Sequence, residues 1–194
     1  MRTKESAILS EEDSSTFFRL FIPLLSAVNL AYGISDDLNE QLLTGRPNYA
    51  ELLEVAEALW EDTGFLDEYI AQYAARFGLS DEDRRILEGW KHPVSAVFVL
   101  ERHLSRGSVF IDLETEKTYL VKGLTQTWEE MIPGQKPPFP IRATLLPFHN
   151  CIISDGLVSP HRVSFGPGYR ESFKQLYLNA KQNRTIITSF ETAS

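Results

Sequence analysis

The sequence is poor in cysteine and has no long uncharged hydrophobic run. Cys151 is the single cysteine among 194 residues, so an intramolecular disulfide cannot form, and zinc sites built from several cysteines are excluded. The longest uncharged run, from Leu20 to Ser35, is shorter than a bilayer-spanning helix. The acidic string Glu11-Glu12-Asp13 comes before the apolar part, whereas an export signal has basic residues there. These features predict a cytoplasmic protein without a membrane span.

Charge is distributed unevenly along the chain. Residues 1–93 carry 8 Lys and Arg against 18 Asp and Glu, a net charge of −10, and residues 94–194 carry 11 against 9, a net charge of +2. An acidic half argues against non-specific nucleic-acid binding, which depends on neutralising phosphates. It suits a basic protein partner. The alternative is a solvated helix surface that keeps the protein soluble.

The order of apolar patterns predicts an α+β protein. Helical spacing dominates before residue 93, and short Val-, Ile-, Leu- and Phe-rich runs separated by turn residues follow it. We therefore expect a flexible segment 1–13, a helical subdomain 14–93 and a β subdomain 94–194, together forming one cooperative unit. The helices would pack on a small, bent antiparallel sheet or partly open β-barrel, with one C-terminal helix.

Capping residues and spacing locate the helices. Ser14 or Ser15 is predicted to cap the first helix, which Pro23 should kink or split. Asn48 and Ser80 are the predicted caps of two later helices. Thr127 begins a brief helix with capping-box spacing, and Gly166-Pro167-Gly168 leads into the C-terminal one. Aromatic residues follow one another four positions apart through the third helix: Phe65, Tyr69, Tyr73 and Phe77.

The β half is predicted to contain seven strands, with a hairpin turn at His149-Asn150. The predicted strands are Val94–Arg102, Ser108–Leu113, Thr118–Gly123, Ile141–Phe148, Cys151–Val158, Arg162–Phe165 and Thr185–Phe190.

Four short strings in this half resemble an uncharacterised bacterial protein family. They are Arg102-His103-Leu104, Phe110-Ile111-Asp112-Leu113, Leu145-Leu146-Pro147-Phe148 and Ile152-Ile153-Ser154-Asp155-Gly156-Leu157. The resemblance covers roughly the C-terminal two-thirds of the chain and implies no particular activity. Some relatives bear a Cys/His-rich, SEC-C-like metal tail, which the single cysteine excludes here.

One candidate anion site lies at the start of the C-terminal helix. Backbone N–H groups at a helix start attract anions, and Gly166 and Gly168 would let an anion approach. Arg170, Arg162 and His161 would add positive charge. The pattern is no Walker A motif, however, and Pro167 removes one donor. A plain strand-to-helix connection is the alternative.

Two carboxylates interrupt predicted strands and form a candidate polar site. Asp112 and Asp155 could act as an acid–base pair or bind a cation. We favour a simpler interpretation, in which Asp112 faces solvent and Asp155-Gly156 forms a bulge or turn. A turn separates Cys151 from His149, which argues against a catalytic pair. Cysteine is among the most buried residue types, so Cys151 is predicted to be a packed core thiol. The four histidines lack metal-ligand spacing, so no metal and no cofactor is predicted.

The sequence contains no complete catalytic motif, which leaves two functional hypotheses. The first is a non-enzymatic binding or protein-interaction module, whose acidic helical face includes Glu54, Glu57 and Glu61. The second is a small-molecule or anion-binding protein, or an enzyme, that uses a cleft between the two halves. Neither hypothesis involves a nucleic acid or a membrane, and the sequence leaves open whether the protein forms homo-oligomers.

Overall fold

The computed structural model describes residues 6–161 and 163–190. They form two compact units, a helical unit, Glu12–Pro93, and a β unit, which joins residues 6–11 to residues 94–190. Within this described part there are seven helices and six strands, which confirms the predicted α+β class.

The helical unit contains five helices. They are α1 (Glu11–Tyr32), α2 (Leu38–Thr44), α3 (Tyr49–Glu61), α4 (Phe65–Phe77) and α5 (Asp81–Gly89). The predicted caps of α3 and α5 are confirmed, because Asn48 accepts a hydrogen bond from the N–H of Ala50 and Ser80 accepts one from that of Asp83. The predicted start and split of α1 are wrong. The helix begins before Ser14, which is buried inside it, and it runs through Pro23.

Apolar residues of α1 form the centre of the helical core. Phe17, Phe21, Leu24, Leu25 and Val28 recur at helical spacing and are all buried. Trp90, at the end of α5, is fully buried and lies edge-on to two of these rings, 5.5 Å from Phe17 and 5.9 Å from Phe21. This burial explains why the helix continues past a proline, since its buried residues lie on both sides of position 23.

By length and composition alone α1 could cross a membrane. Core helices of globular proteins meet the same criterion, and 44% of the most apolar part of α1 is buried inside the structure. The helix is therefore weak evidence for a membrane span.

The β unit contains the six strands and two helices. In chain order these are β1 (Val94–Leu104), β2 (Gly107–Asp112), β3 (Thr118–Lys122), α6 (Trp128–Met131), β4 (Phe139–Phe148), β5 (Cys151–Ser154), β6 (Ser159–Pro160) and α7 (Pro167–Asn183).

Five of these strands close into a barrel. β1 is long enough to pair with two partners, with β4 along Val94–Leu100 and with β2 along Phe98–Leu104. β2 pairs with β3, β3 with β5, and β5 with β4, so the ring of hydrogen bonds returns to β1. The predicted antiparallel arrangement is wrong at one place, because β3 and β5 run parallel with Val121 opposite Ile152.

Alternation along the strands separates the barrel interior from its outer face. Phe98, Leu100 and Phe110 point inwards and pack with Trp128 of α6. Residues between them point outwards, and α7 covers them with Phe173 and Tyr177. The covered outer residues are Val99, Val109 and Ile111. The unit thus has an inner core and a second apolar layer beneath α7.

The predicted strand Thr185–Phe190 is reduced to a single bridge. Ile187 pairs with Tyr119 at the start of β3, through hydrogen bonds to Thr118 and Leu120. β5 occupies the same edge of β3 from Val121 onwards, so no room remains for a longer pairing.

Three further predictions differ from the structure. Residues 163–165 form no strand, and Arg162 lies outside the described residues; the last pairing with β4 comes from β6 instead. The strand predicted for Cys151–Val158 ends at Ser154. The segment predicted to be flexible is held in place from Ala7 onwards, since Ala7 and Leu9 exchange backbone hydrogen bonds with Gly123.

Candidate functional site

The candidate anion site forms an ordinary helix start in the structure. Gly166 is the N-cap of α7, and a Cβ added at Gly166 or Gly168 would meet no atom within 4 Å. The Arg170 side chain donates through Nε to the carbonyl oxygen of Phe165 at 3.0 Å. His161 is exposed, and its backbone N–H donates to Pro140. The fifth predicted residue, Arg162, is not among those described, so the anion site stays a prediction.

The interpretation of Asp112 as a solvent-facing residue is wrong, because only 6% of it is exposed. Its carboxylate closes the turn between β2 and β3, accepting hydrogen bonds from the N–H of Glu114 and from the N–H and hydroxyl of Thr115. Burial acts to raise the pKa of Asp112, but these hydrogen bonds and the charge of Lys117 outweigh it and lower the pKa. Asp112 is a charged turn residue whose carboxylate is engaged within its own loop.

Asp155 lies at the other end of the barrel. It follows β5 directly, and Oδ1 accepts a hydrogen bond from the N–H of Leu157, with Gly156 between them at a positive φ of 81°. This is the turn that the sequence predicted. β3 serves as a ruler for the distance between the two carboxylates. Continuing the parallel pairing of β3 with β5 puts Asp155 opposite residue 124, beyond the end of β3. Asp112 lies next to Thr118, at the start of β3. Six residues of strand separate the two levels by about 20 Å, too far for an acid–base pair.

Cys151 and His149 flank the predicted hairpin turn. His149 adopts a positive φ of 48°, and its ring packs edge-on against Phe148. The Cys151 thiol donates to the carbonyl of Phe148 at 3.1 Å. Cys151 is half-buried, so the prediction of a fully packed core thiol is only partly correct. Among the described residues no group of three His, Cys, Asp or Glu side chains could hold a metal ion.

One charged cluster in the β unit escaped the sequence reasoning. A β-bulge between Leu100 and Arg102 allows Glu101, which is buried, to form a bidentate ion pair with Arg102. The guanidinium also lies 4.0 Å from the ring centroid of Tyr177 on α7. The adjacent Glu101 and Arg102 at the end of an apolar run could have predicted a buried ion pair in this strand. This cluster fastens α7 to the barrel.

His103 is the next residue along β1. Its Nδ1 lies 2.8 Å from the hydroxyl of Ser108 across the hairpin, as expected for a local structural role. Burial lowers the pKa of His103, although the charge of Glu129 opposes this effect. Burial therefore favours the neutral form of this imidazole.

The helical unit presents an acidic row on α3. Glu54, Glu57 and Glu61 are spaced three and four residues apart, which places them on one face of the helix, and all three are exposed. None of them has an ion-pair or hydrogen-bond partner among the described residues. The helical unit, Glu12–Pro93, carries 6 Lys and Arg against 16 Asp and Glu, a net charge of −10.

An aromatic ladder begins where the acidic row ends. Its successive ring centroids are 6.0, 6.3, 5.4 and 4.9 Å apart, and its members are Tyr32, Phe65, Tyr69, Tyr73 and Phe77. The middle of the ladder is buried, and its ends are open, with Tyr32 45% and Phe77 64% exposed. The four-residue spacing along α4 predicted this alignment, but the contribution of Tyr32 from α1 depends on the tertiary fold.

The two ends of the ladder differ in charge. Near Phe77 the charge is positive, because the guanidinium of Arg76 lies 5.2 Å from that ring. At the other end the Tyr32 hydroxyl donates to Asp62 at 3.1 Å. This hydrogen bond is the main cause that raises the pKa of Tyr32, and the charge of Glu68 adds to it. Aromatic rings and carboxylates therefore meet at the Tyr32 end.

The strand order and connectivity of the β unit resemble those of an OB-fold. Five strands form a ring in the order β1-β2-β3-β5-β4-β1, with a helix between the third and fourth strands. OB-folds bind oligonucleotides and oligosaccharides over their second and third strands. In this chain α7 occupies the outer face of β1 and β2, where Phe173 and Tyr177 pack.

Comparison with protein-family models, with curated proteins and with solved structures found no match for this chain. The likeness to an OB-fold therefore rests on strand connectivity alone, and the resemblance to the bacterial family stays a prediction.

Proposed function

We propose that this protein is a non-enzymatic, cytoplasmic interaction module that binds a basic segment of a partner protein through the acidic row on α3. The observation that carries the proposal is that Glu54, Glu57 and Glu61 are exposed on one face and have no partner among the described residues. Carboxylates aligned in this way offer complementary charge to lysine and arginine side chains. The net charge of −10 on the helical unit attracts such a partner over a distance.

The remaining polar groups support a binding role. Asp112 and Asp155 lie at opposite ends of the barrel and close their own turns. Arg170 is engaged with its own helix start. The outer face of β2, which is part of the surface over which OB-folds bind ligands, carries α7. The acidic row is a group of exposed charged side chains, aligned on one helix face, that these contacts leave available.

The test measures binding of a defined basic peptide. A fluorescein-labelled peptide with alternating Gly and Lys residues is titrated with the 194-residue chain at low salt, and anisotropy reports binding. The triple variant Glu54→Lys/Glu57→Lys/Glu61→Lys should bind about three- to a hundredfold more weakly, because each exposed ion pair contributes about 0.2–1 kcal/mol. Binding by the unmodified protein should also weaken as salt is added.

A control variant changes the net charge equally but at another place. Glu114, Glu116 and Glu129 are exposed residues of the β unit. Their replacement by lysine should reduce the affinity much less than the change on α3. Equal losses in the two triple variants would mean that only net charge matters, and absence of binding to the unmodified protein would refute the proposed function.

A further inference from the structure

We propose that the Tyr32 end of the aromatic ladder binds an arginine side chain of the basic partner, so that the surface prefers arginine to lysine. The site, called the aromatic corner below, consists of Tyr32, Asp62, Phe65 and Glu68. The inference rests on the proposed function, since it assigns the chemistry of the segment that the same surface binds.

Position connects the aromatic corner to the acidic row. Glu61, the last residue of the row, directly precedes Asp62, which accepts the hydrogen bond from Tyr32. An extended segment that pairs with the row along α3 would therefore reach the corner at the end of that helix. Each residue of an extended chain advances about 3.3 Å and each helical residue about 1.5 Å, so the row spans only three or four residues of such a segment.

The corner offers both contacts that a guanidinium uses. Tyr32 is 45% exposed, and its ring centroid lies 6.0 Å from that of Phe65 at an angle of 48°, so the two rings form an open, tilted pair. Carboxylates stand beside this pair. Asp62 touches the Tyr32 hydroxyl, and Glu68, which is exposed, is close enough to add to the rise in the pKa of Tyr32. A planar cation can stack on the rings and still pair with a carboxylate.

The chain already contains this arrangement within its β unit. Arg102 lies 4.0 Å from the ring centroid of Tyr177 while its guanidinium forms a bidentate ion pair with Glu101. The same three groups, a ring, a carboxylate and a guanidinium, thus satisfy one another in this fold. At the aromatic corner the ring and the carboxylate are present, and the guanidinium would come from the partner.

Charge and shape together favour arginine over lysine. Lysine satisfies the carboxylates of the row as a point charge, but its ammonium is compact and strongly hydrated. A guanidinium is planar, less hydrated and able to stack, so arginine gains more from the rings than lysine does. A cation–π contact at an exposed site corresponds to a factor of roughly two to five in affinity.

The experiment compares two labelled peptides of equal length and charge, one alternating Gly with Arg and the other alternating Gly with Lys. The 194-residue chain should bind the arginine peptide about two to five times more tightly. Tyr32→Leu should remove this preference, because it lowers the affinity for the arginine peptide more than the affinity for the lysine peptide. Tyr32→Phe keeps the ring and should keep the preference, which separates stacking from the hydrogen bond to Asp62.

The control is Tyr169→Leu, which removes an exposed ring, 66% accessible, from the β unit and should leave the preference intact. Equal affinity of the unmodified protein for the two peptides would overturn this inference while the proposed function stands. A preference that survives Tyr32→Leu would overturn the assignment to the corner. Failure to bind either peptide would overturn both, and circular dichroism of each variant confirms that it is folded.

Discussion

The ion pair between Arg19 of α1 and Asp83 of α5 gives a sharp test of how the helical unit is held together. Arg19 donates through Nη2 to Oδ1 at 2.6 Å and through Nη1 to Oδ2 at 3.1 Å. Asp83 is buried, with 8% of its surface exposed. Asp83→Asn keeps the shape of the side chain and removes its charge, so it isolates the electrostatic part of the contact.

The expected loss of stability follows from this geometry. Hydrogen bonds to a charged group contribute about 1.5–3 kcal/mol when they are buried. The side chain of Arg19 is 52% exposed, which screens the pair, so we expect Asp83→Asn to lower the free energy of unfolding by about 1–2 kcal/mol. The cap of α5 should persist, because Ser80 accepts its hydrogen bond from the backbone N–H at position 83.

The same contact predicts a dependence on pH. The hydrogen bond from Arg19 lowers the pKa of Asp83, and the bond with Ser80 adds to this effect against the opposing influence of burial. The folded state therefore holds its proton less tightly than the unfolded state, whose aspartate pKa is about 3.9. The contribution of Asp83 is fully present above that value, and it is lost as the pH falls through the lower pKa of the folded state.

The assay is urea unfolding of the full chain, followed by far-ultraviolet circular dichroism, in a double-mutant cycle of Arg19→Met and Asp83→Asn. We expect a coupling free energy of about 1 kcal/mol near neutral pH. Arg19→Lys should recover only part of it, because an ammonium cannot form the bidentate pair. A coupling below about 0.3 kcal/mol, or parallel acid dependence of the unmodified protein and Asp83→Asn, would refute the reasoning.

Three further substitutions test the β unit by urea unfolding. A Cβ at Gly123 would lie 1.8 Å from the carbonyl oxygen of Gln126, so Gly123→Ala should cost about 3 kcal/mol or more, whereas Gly166→Ala, in open space, should cost under about 1 kcal/mol. Equal effects would contradict this geometry. Asp112→Ala should destabilise by about 1–3 kcal/mol, since the β2–β3 turn loses three hydrogen bonds; a neutral result would mean that the turn holds without them. Arg102→Lys should weaken the barrel by about 1 kcal/mol through loss of stacking and bidentate pairing, and unchanged stability would show that α7 is held by its apolar contacts alone.

Local signals predicted the structure well where the physics is local. Asn48, Ser80 and Thr127 were recognised as caps because a side-chain oxygen near the start of a helix accepts an N–H group of the first turn, and each does so in the structure. The four-residue spacing along α4 likewise predicted its row of rings. These contacts lie within a few residues of one another, so the sequence alone contains their partners.

The errors arose where a distant segment decides the outcome. Pro23 breaks an isolated helix, but α1 continues through it because buried residues on both sides pack into one core. The error at Asp112 is of another kind, because the hydrogen-bond partners that engage its carboxylate are its near neighbours Glu114 and Thr115. The apolar segment around Ile187 was predicted as a strand. It forms a single bridge to Tyr119, because β5 pairs with the same edge of β3 from Val121 onwards.

For the candidate surface the division is the same. The sequence determined the acidic row, since helical spacing alone puts Glu54, Glu57 and Glu61 on one face, and it determined the charge that attracts a basic partner. Only the tertiary structure brought Tyr32 to Phe65 and closed the strands into a barrel with a parallel pair. Strand order and contacts between helices depend on which distant segments bury the most apolar surface together. The local sequence pattern does not specify those distant partners.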